Sequence, residues 1–251
     1  MKKELSKALP QADFLLLDET ESTNNIARVL ALEGAREFSC VLARRQTGGR
    51  GRMGRSFFSY DGGIYLSVVL RPDITPGESL FITVAAASAA AEAIGELSGK
   101  KALIKWVNDI YIDGKKVCGI LTEGNIIGEK LDFAVLGIGI NLFGSDGLFP
   151  DDIKDIAGYV IKGESSDAVK CRMITLFMQK FAEYYKNLQK KDYMSTYRSR
   201  NFLQGREVTF ERGGKLLCGT VCDIDNDAAL IVDIKGERMA LTYGDVAIRK
   251  F

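Results

Sequence analysis

The chain has 251 residues, 46% of them hydrophobic and 27% charged, with 34 basic and 33 acidic side chains for a formal charge of +1. That balance excludes a disordered or collagen-like chain, and it excludes a global field that would recruit nucleic acid or an anionic membrane. The absence of histidine removes Ser-His-Asp and Cys-His catalysis, His-ligated zinc and the usual general base.

Periodicity then lays out the elements in order. Residues 14–17 and 40–43 are strand-like runs, and between them Ser22 is placed to cap a helix carrying Ile26, Val29 and Leu30 on one face. Residues 64–70 read as a strand. Thr75-Pro76-Gly77-Glu78 is a capping box with proline at the first helical position, opening an Ala-rich helix to about Leu97 that is apolar on most sides and so expected to be buried. Residues 102–106, 110–112, 117–121 and 133–142 look like consecutive strands, with Asp113-Gly114 as a hairpin turn. From 151 to 200 the pattern is largely helical, with Ser166 as a cap before Val169, Met173, Leu176, Phe177, Phe181 and Tyr184. Short strands return at 207–210, 216–221, 228–234, 238–243 and 246–248, separated by turn clusters at Arg212-Gly213-Gly214 and Asn226-Asp227. The expectation is an α+β fold of two domains: residues 1–203 with a mixed, largely antiparallel sheet and flanking helices, and residues 204–251 as a small β-barrel.

Five cysteines, at 40, 118, 171, 218 and 222, form no CxxC pair, which points to a reducing compartment. The first nine residues lack a signal-peptide core, and the longest apolar run, 80–91, is about half the length needed to cross a bilayer. A soluble cytoplasmic protein is expected.

The densest chemical signal is Arg44 to Arg55, RRQTGGRGRMGR, with five arginines, four glycines and no acid. Guanidinium forks suit phosphate and carboxylate, while glycines let the backbone approach an anion and keep the segment mobile until one arrives. A solvated basic loop or a nucleic-acid contact also fits this composition. Gly49-x-Gly51-x-x-Gly54 matches the dinucleotide fingerprint, and Gly49-x4-Gly54-Arg55-Ser56 is a Walker A sequence with arginine for lysine. Both are rejected, because each must open a helix, whereas the stretch from Phe57 to Gly63 is aromatic, glycine-rich and leads into a strand. Lys105-Trp106-Val107-Asn108-Asp109 puts a cation, an amide and a carboxylate at a break between strands, as surface turns also do. Gly137-Ile138-Gly139-Ile140-Asn141 clears one strand face, for a ligand or for close packing. Glu21-Ser22-Thr23-Asn24 reads by itself as a helix cap.

Taken together and in this order, Ser22-Thr23-Asn24, Gln46, Gly49 to Arg55, Lys105 to Asp109, Gly119-Ile120-Leu121 and Gly137 to Asn141 resemble the motifs of the biotin protein ligases, the biotin–acetyl-CoA-carboxylase ligases, over nearly the whole chain. Two positions depart from the pattern: Val107 stands where the family carries proline, and Phe57 where it often carries tryptophan. Only about twenty residues precede Ser22, so the short form without a DNA-binding domain is expected.

The resemblance implies a class II synthetase-like catalytic domain, a C-terminal SH3-like barrel, and a ligase that uses ATP with Mg²⁺ to convert biotin to biotinyl-5′-AMP. The biotin is then passed to one lysine of a biotin carboxyl carrier protein. Ser22, Thr23, Asn24 and Gln46 would bind the ureido ring. Arg50, Gly51 and Arg52 would meet the carboxylate and α-phosphate, beside Gly119. Lys105, with Arg52, is expected to be the catalytic cation. Phe57, Asn108, Asn141 and Arg55 would serve the nucleotide, and Asp109 would be structural or a Mg²⁺ ligand. A homodimer is compatible with this reading, with no nucleic-acid or membrane partner. The competing readings are a lipoate or octanoate ligase of the same acyl-adenylate type and an RNA-binding protein using the Arg-Gly segment.

Overall fold

Alternating faces of one seven-stranded sheet organise the computed structural model, which describes residues 1–242, 244 and 246–248. The helices are α1 (Lys2–Ala8), α2 (Thr23–Leu32), α3 (Ser79–Ser98), α4 (Asp167–Lys186) and α5 (Tyr193–Arg200). The strands are β1 (Asp13–Thr20), β2 (Ser39–Gln46), β3 (Ile64–Leu70), β4 (Leu103–Lys105), β5 (Asp109–Ile112), β6 (Lys115–Ile127), β7 (Lys130–Ile140), β8 (Phe143–Gly144), β9 (Ile161–Lys162), β10 (Glu207–Arg212), β11 (Lys215–Ile224), β12 (Leu230–Ile234), β13 (Glu237–Leu241) and β14 (Ala247–Ile248). The large sheet runs β1-β2-β3-β7-β6-β5-β4. Only β1 and β2 are parallel; the other pairs are antiparallel, so the sheet is mixed and largely antiparallel as expected.

Each face of the sheet has its own cover. Leu66, Val68, Leu136, Ile138 and Cys118 pack in one core with α3 and α4, and α3 is buried on most sides, as its Ala-rich composition predicts. Its capping box forms as read: Thr75 N–H donates to Glu78 Oε2 at 2.8 Å, ahead of a short 3-10 turn at Pro76–Glu78. The segment Pro76–Ser98 is long and apolar enough to cross a bilayer, but most of it is buried inside the protein, the state of a core helix. On the opposite face α2 covers Val41, Val69, Phe133 and Val135.

Several boundaries differ from the sequence expectation. The buried residues of α2 are Thr23, Asn24, Ala27 and Ala31, whereas Ile26 and Leu30 are half-buried and Val29 is exposed. The β6-β7 hairpin runs well past the apolar cores at 117–121 and 133–142. Residues 151–157, read as helical, are turns leading to a bridge at Ala157, while Ser166 does cap α4 through Val169 N–H. The N-terminal helix α1 has no counterpart in the sequence expectation; it buries Leu5 and Leu9, one turn apart.

The C-terminal strands form a five-stranded sheet in the order β13-β12-β11-β10-β14. The strand read at 238–243 is β13, and its Tyr243 end lies outside the described residues, as do the last three residues of the segment 204–251. The hydrophobic core is continuous between the two sheets, with Val208, Phe210, Val221 and Leu230 in the same cluster as α3.

Candidate active site

Strand register explains why a cavity opens on the α2 face. Tyr65 pairs with Gly139, Gly139 with Gly119, and Gly119 with Asp109, so four strands contribute one row on the same face. The next row is Ser67, Gly137 and Leu121. Three of these positions are glycine, and the missing side chains help to open a cavity on this face. Two glycines are required by close approach: a Cβ on Gly137 would lie 2.2 Å from Asn24 Oδ1, and one on Gly139 would lie 2.6 Å from the Phe57 ring. Both alternatives for the paired glycines therefore hold together. They pack closely against side chains, and those side chains line the cavity.

One end of the cavity is built from neutral polar groups. Ser22 stands in the N-cap position of α2, yet its side chain makes no capping hydrogen bond and lines the cavity instead. Gln46 Oε1 accepts from Thr23 N–H at 2.8 Å and lies 3.0 Å from Thr23 Oγ1. Ser67, fully buried and absent from the sequence-based candidates, has its Oγ 2.8 Å from Thr23 Oγ1 and 2.5 Å from Asn24 Oδ1. Two hydroxyl protons are shared among these three oxygen–oxygen contacts, which tie Thr23, Gln46, Ser67 and Asn24 into one network. Asn24 Nδ2 then donates to Glu123 Oε2 at 2.6 Å.

The other end is cationic. No helix succeeds the Arg-Gly segment. It folds back on itself, with Phe57 N–H donating to Gly49 at 2.8 Å and Gly51 N–H to Arg55 at 2.7 Å, around a single turn at Arg52–Gly54. Arg52, Arg55 and Gly51 line the cavity, and the Phe57 ring lies over the floor at Gly119 and Gly139. Arg50 also lines it, but its guanidinium donates to Asn25 Oδ1 and faces Glu123 at 3.9 Å. Asn108 is locked to β6: its Nδ2 donates to Ile120 O at 2.6 Å, and Ile120 N–H donates back at 3.0 Å. Asn108 Oδ1 lies 3.5 Å from Arg52. The Trp106–Val107 peptide bond is cis, at the position where the resembling motif carries proline.

Two lysines stand beside Asp109. Lys105, at the end of β4, pairs with Asp109 and so extends the row Tyr65–Gly139–Gly119–Asp109 on the same face of the sheet, though it is not among the described residues lining the cavity. Lys116 lines the cavity, its Nζ 2.7 Å from Asp109 Oδ1 and close above Gly119. Strict alternation from Gly119 would point Lys116 to the opposite face. The register shifts between Ile110, which pairs with Cys118, and Tyr111, which pairs with Lys116. Val117 is therefore the extra residue of a β-bulge, and the bulge turns Lys116 onto the cavity face.

Asn141 follows Ile140, the last residue of β7; its amide donates to Gly158 O at 3.0 Å, and it is not among the described residues lining the cavity. Asp109 faces the Lys116 ammonium, and among the described residues no cluster of three or more carboxylates or thiols could hold a metal.

Comparisons with known proteins bear on the family and the fold. The model of the biotin/lipoate A/B protein ligase family matches residues 16–141. The chain is 37% identical over 179 residues to the bifunctional ligase/repressor BirA of Bacillus subtilis, a match covering 71% of this chain and 54% of that protein, so it spans about half of that relative's length. It is 30% identical over 237 residues to the biotin–acetyl-CoA-carboxylase ligase of Paracoccus denitrificans, covering 92% of this chain and 98% of the relative. The fold is similar to that of biotin protein ligase from Aquifex aeolicus solved in complex with biotin and ATP, at TM-score 0.74 and 24% identity over 95% of this chain and 99% of that one. With the family model covering half of the sequence and a 30% identical relative matched nearly end to end, the chain belongs to the biotin/lipoate A/B protein ligase family.

Proposed function

We propose that this protein adenylates biotin with ATP and transfers it to a lysine of a biotin carboxyl carrier protein. The observation that carries this reading is a single cavity with a neutral hydrogen-bonding end at Ser22, Thr23 and Gln46 and a cationic end at Arg52, Arg55 and Lys116, joined across a glycine floor. A cyclic urea offers carbonyl and N–H groups that are costly to bury unpaired, and the neutral end supplies partners for them, with Ser22 and Asn24 beside it. Biotin's carboxylate, ionised at neutral pH, then points toward the cations and needs no base, which suits a chain without histidine. Its oxygen attacks the α-phosphorus and pyrophosphate leaves. The carrier lysine next attacks the acyl carbon and AMP leaves. Positioning and cancellation of negative charge do the catalytic work.

Within this reading Lys105 and Arg52 are the cations at the reacting groups, with Lys116 beside them on the other side of Asp109. Arg55, Phe57 and Asn108 serve the nucleotide, with Gly119 beneath the ring. Mg²⁺ carried by the ATP phosphates would cancel negative charge there, with Asp109 the protein carboxylate at hand to hold it. Residues 1–203 form the catalytic unit, and the five-stranded C-terminal sheet is an SH3-like unit packed against it. The setting is the cytoplasm, and a homodimer is compatible with the fold.

Biotin-dependent exchange of labelled pyrophosphate into ATP tests the proposal. Exchange with biotin and none with lipoate or octanoate is expected. Exchange with lipoate alone assigns the related acyl-adenylate reaction, and exchange with neither acid overturns the proposal. The polar network at Thr23 and Gln46 favours biotin, since an acyl tail without a urea would leave it unanswered.

A further inference from the structure

Glu123 pairs with Val135 across β6 and β7, and Val135 pairs with Val69, so the row Val69–Val135–Glu123 begins in the apolar strip beneath α2 and ends on a carboxylate that is one-third exposed (34%). Its two oxygens serve two different parts of the site. Oε2 accepts from Asn24 Nδ2 at 2.6 Å, and Oε1 faces the Arg50 guanidinium at 3.9 Å. Arg50 is held on a second side by Asn25 Oδ1, the residue after Asn24 on α2.

We infer that Glu123 is a positioning residue that couples the two halves of the cavity, making the placement of the Arg-Gly segment depend on the orientation of the Asn24 amide at the biotin end. This rests on the biotin-adenylating reading above. Asn24 cannot turn without disturbing both of its partners, because Ser67 fixes its oxygen and Glu123 fixes its nitrogen. A ligand that fixes Thr23 and Asn24 therefore also fixes the carboxylate that faces Arg50. Arg50 is then a latch between the loop, α2 and β6, leaving Arg52 and Arg55 to meet the anion. Ordering the loop costs entropy, and a latch set by the first ligand removes part of that cost for the second.

Calorimetric titration of biotin and of a non-hydrolysable ATP analogue, each alone and each with the other present, measures the coupling directly, since the gain must be the same in both orders. Wild type is expected to bind the analogue about tenfold or more tightly once biotin is bound, a coupling of ordinary size. Glu123→Gln keeps an acceptor for Asn24 and loses the charge that holds Arg50. It should bind biotin alone within about twofold of wild type and lose most of the gain, and in the double variant with Arg50→Met no further coupling should be lost. A residue that only supports the fold would weaken both ligands alike and leave their ratio intact. Undiminished coupling in Glu123→Gln, or a wild type that exchanges pyrophosphate with biotin but shows no coupling, overturns the inference. A wild type without biotin-dependent exchange overturns the functional reading itself.

Discussion

Lys116 approaches Asp109 to 2.7 Å while each side chain remains partly open to the cavity, so the ammonium is oriented yet still reachable by an anion. Lys116→Met should therefore lower adenylation at least about a hundredfold, the scale of losing one oriented electrostatic donor. Lys105 stands in the same row beside Asp109, and Lys105→Met should lower it on the same scale, with biotin affinity falling less than the rate. Pyrophosphate exchange on both variants checks the pair, and equal losses in binding and turnover at Lys105 would make it a binding residue only. Gly139 gives a second residue-scale prediction. A methyl group there meets the Phe57 ring at 2.6 Å, so Gly139→Ala must push the ring off the floor and should raise KM for ATP more than KM for biotin. The cysteines give a third. Burial pushes the thiols of Cys40 and Cys118 far above the usual range, and burial together with Glu4 raises Cys171 to about 11. At pH 8 all three are almost wholly protonated, and raising the pH toward 9 should add little thiolate. Native protein should react with a thiol reagent only at the half-buried Cys218 and Cys222, with all five reacting after unfolding.

At the level of elements, the Arg-Gly loop is the part whose chemistry outweighs its packing. Its fold-back leaves Arg52 and Arg55 on the cavity, and glycine makes the segment costly to order without an anion. Replacing Arg50 and Arg52 together by alanine should let biotinyl-adenylate escape, so that lysines on bystander proteins become labelled in a concentration-dependent way. Retention equal to wild type in a quenched chase would make the loop a preformed anion site. The elements also show how far a sequence reaches. Ile64–Leu70 is legible to the residue because a strand buried on both faces is a plain apolar run bounded by glycines and proline-containing turns. The motif residues of α2, β2 and the loop converge as their spacing suggests. Lys116 is hidden because one bulge residue, Val117, reverses the parity on which any reading of a strand depends. The inward face of α2 escapes an apolar-periodicity argument because Thr23 and Asn24 are buried to hold a polar network, not to fill a core.

For the whole molecule, the turn that carries Asn108 and Asp109 is braced from outside the large sheet. Trp106 Nε1 donates to Ala228 O in the C-terminal unit at 2.9 Å, and Tyr197 on α5 donates to Val107 O at 2.9 Å. Arg198 adds bonds to Ile224 O and Asn226, both at 2.7 Å. Trp106→Phe should leave the Ala228 carbonyl buried and unpaired and cost about 1–3 kcal/mol, read by circular dichroism as a lower denaturant midpoint with an unchanged slope. Because Trp106 is the only tryptophan of the chain and is 2% exposed, the same contact has an optical consequence. The ultraviolet emission of the protein comes from one indole at the seam between its two sheets, shielded from water while they are joined. Since the core runs unbroken across that seam, the emission should shift to the red in step with the loss of helical dichroism. A red shift at lower denaturant would show the C-terminal sheet parting first, with light emitted at the seam as its reporter.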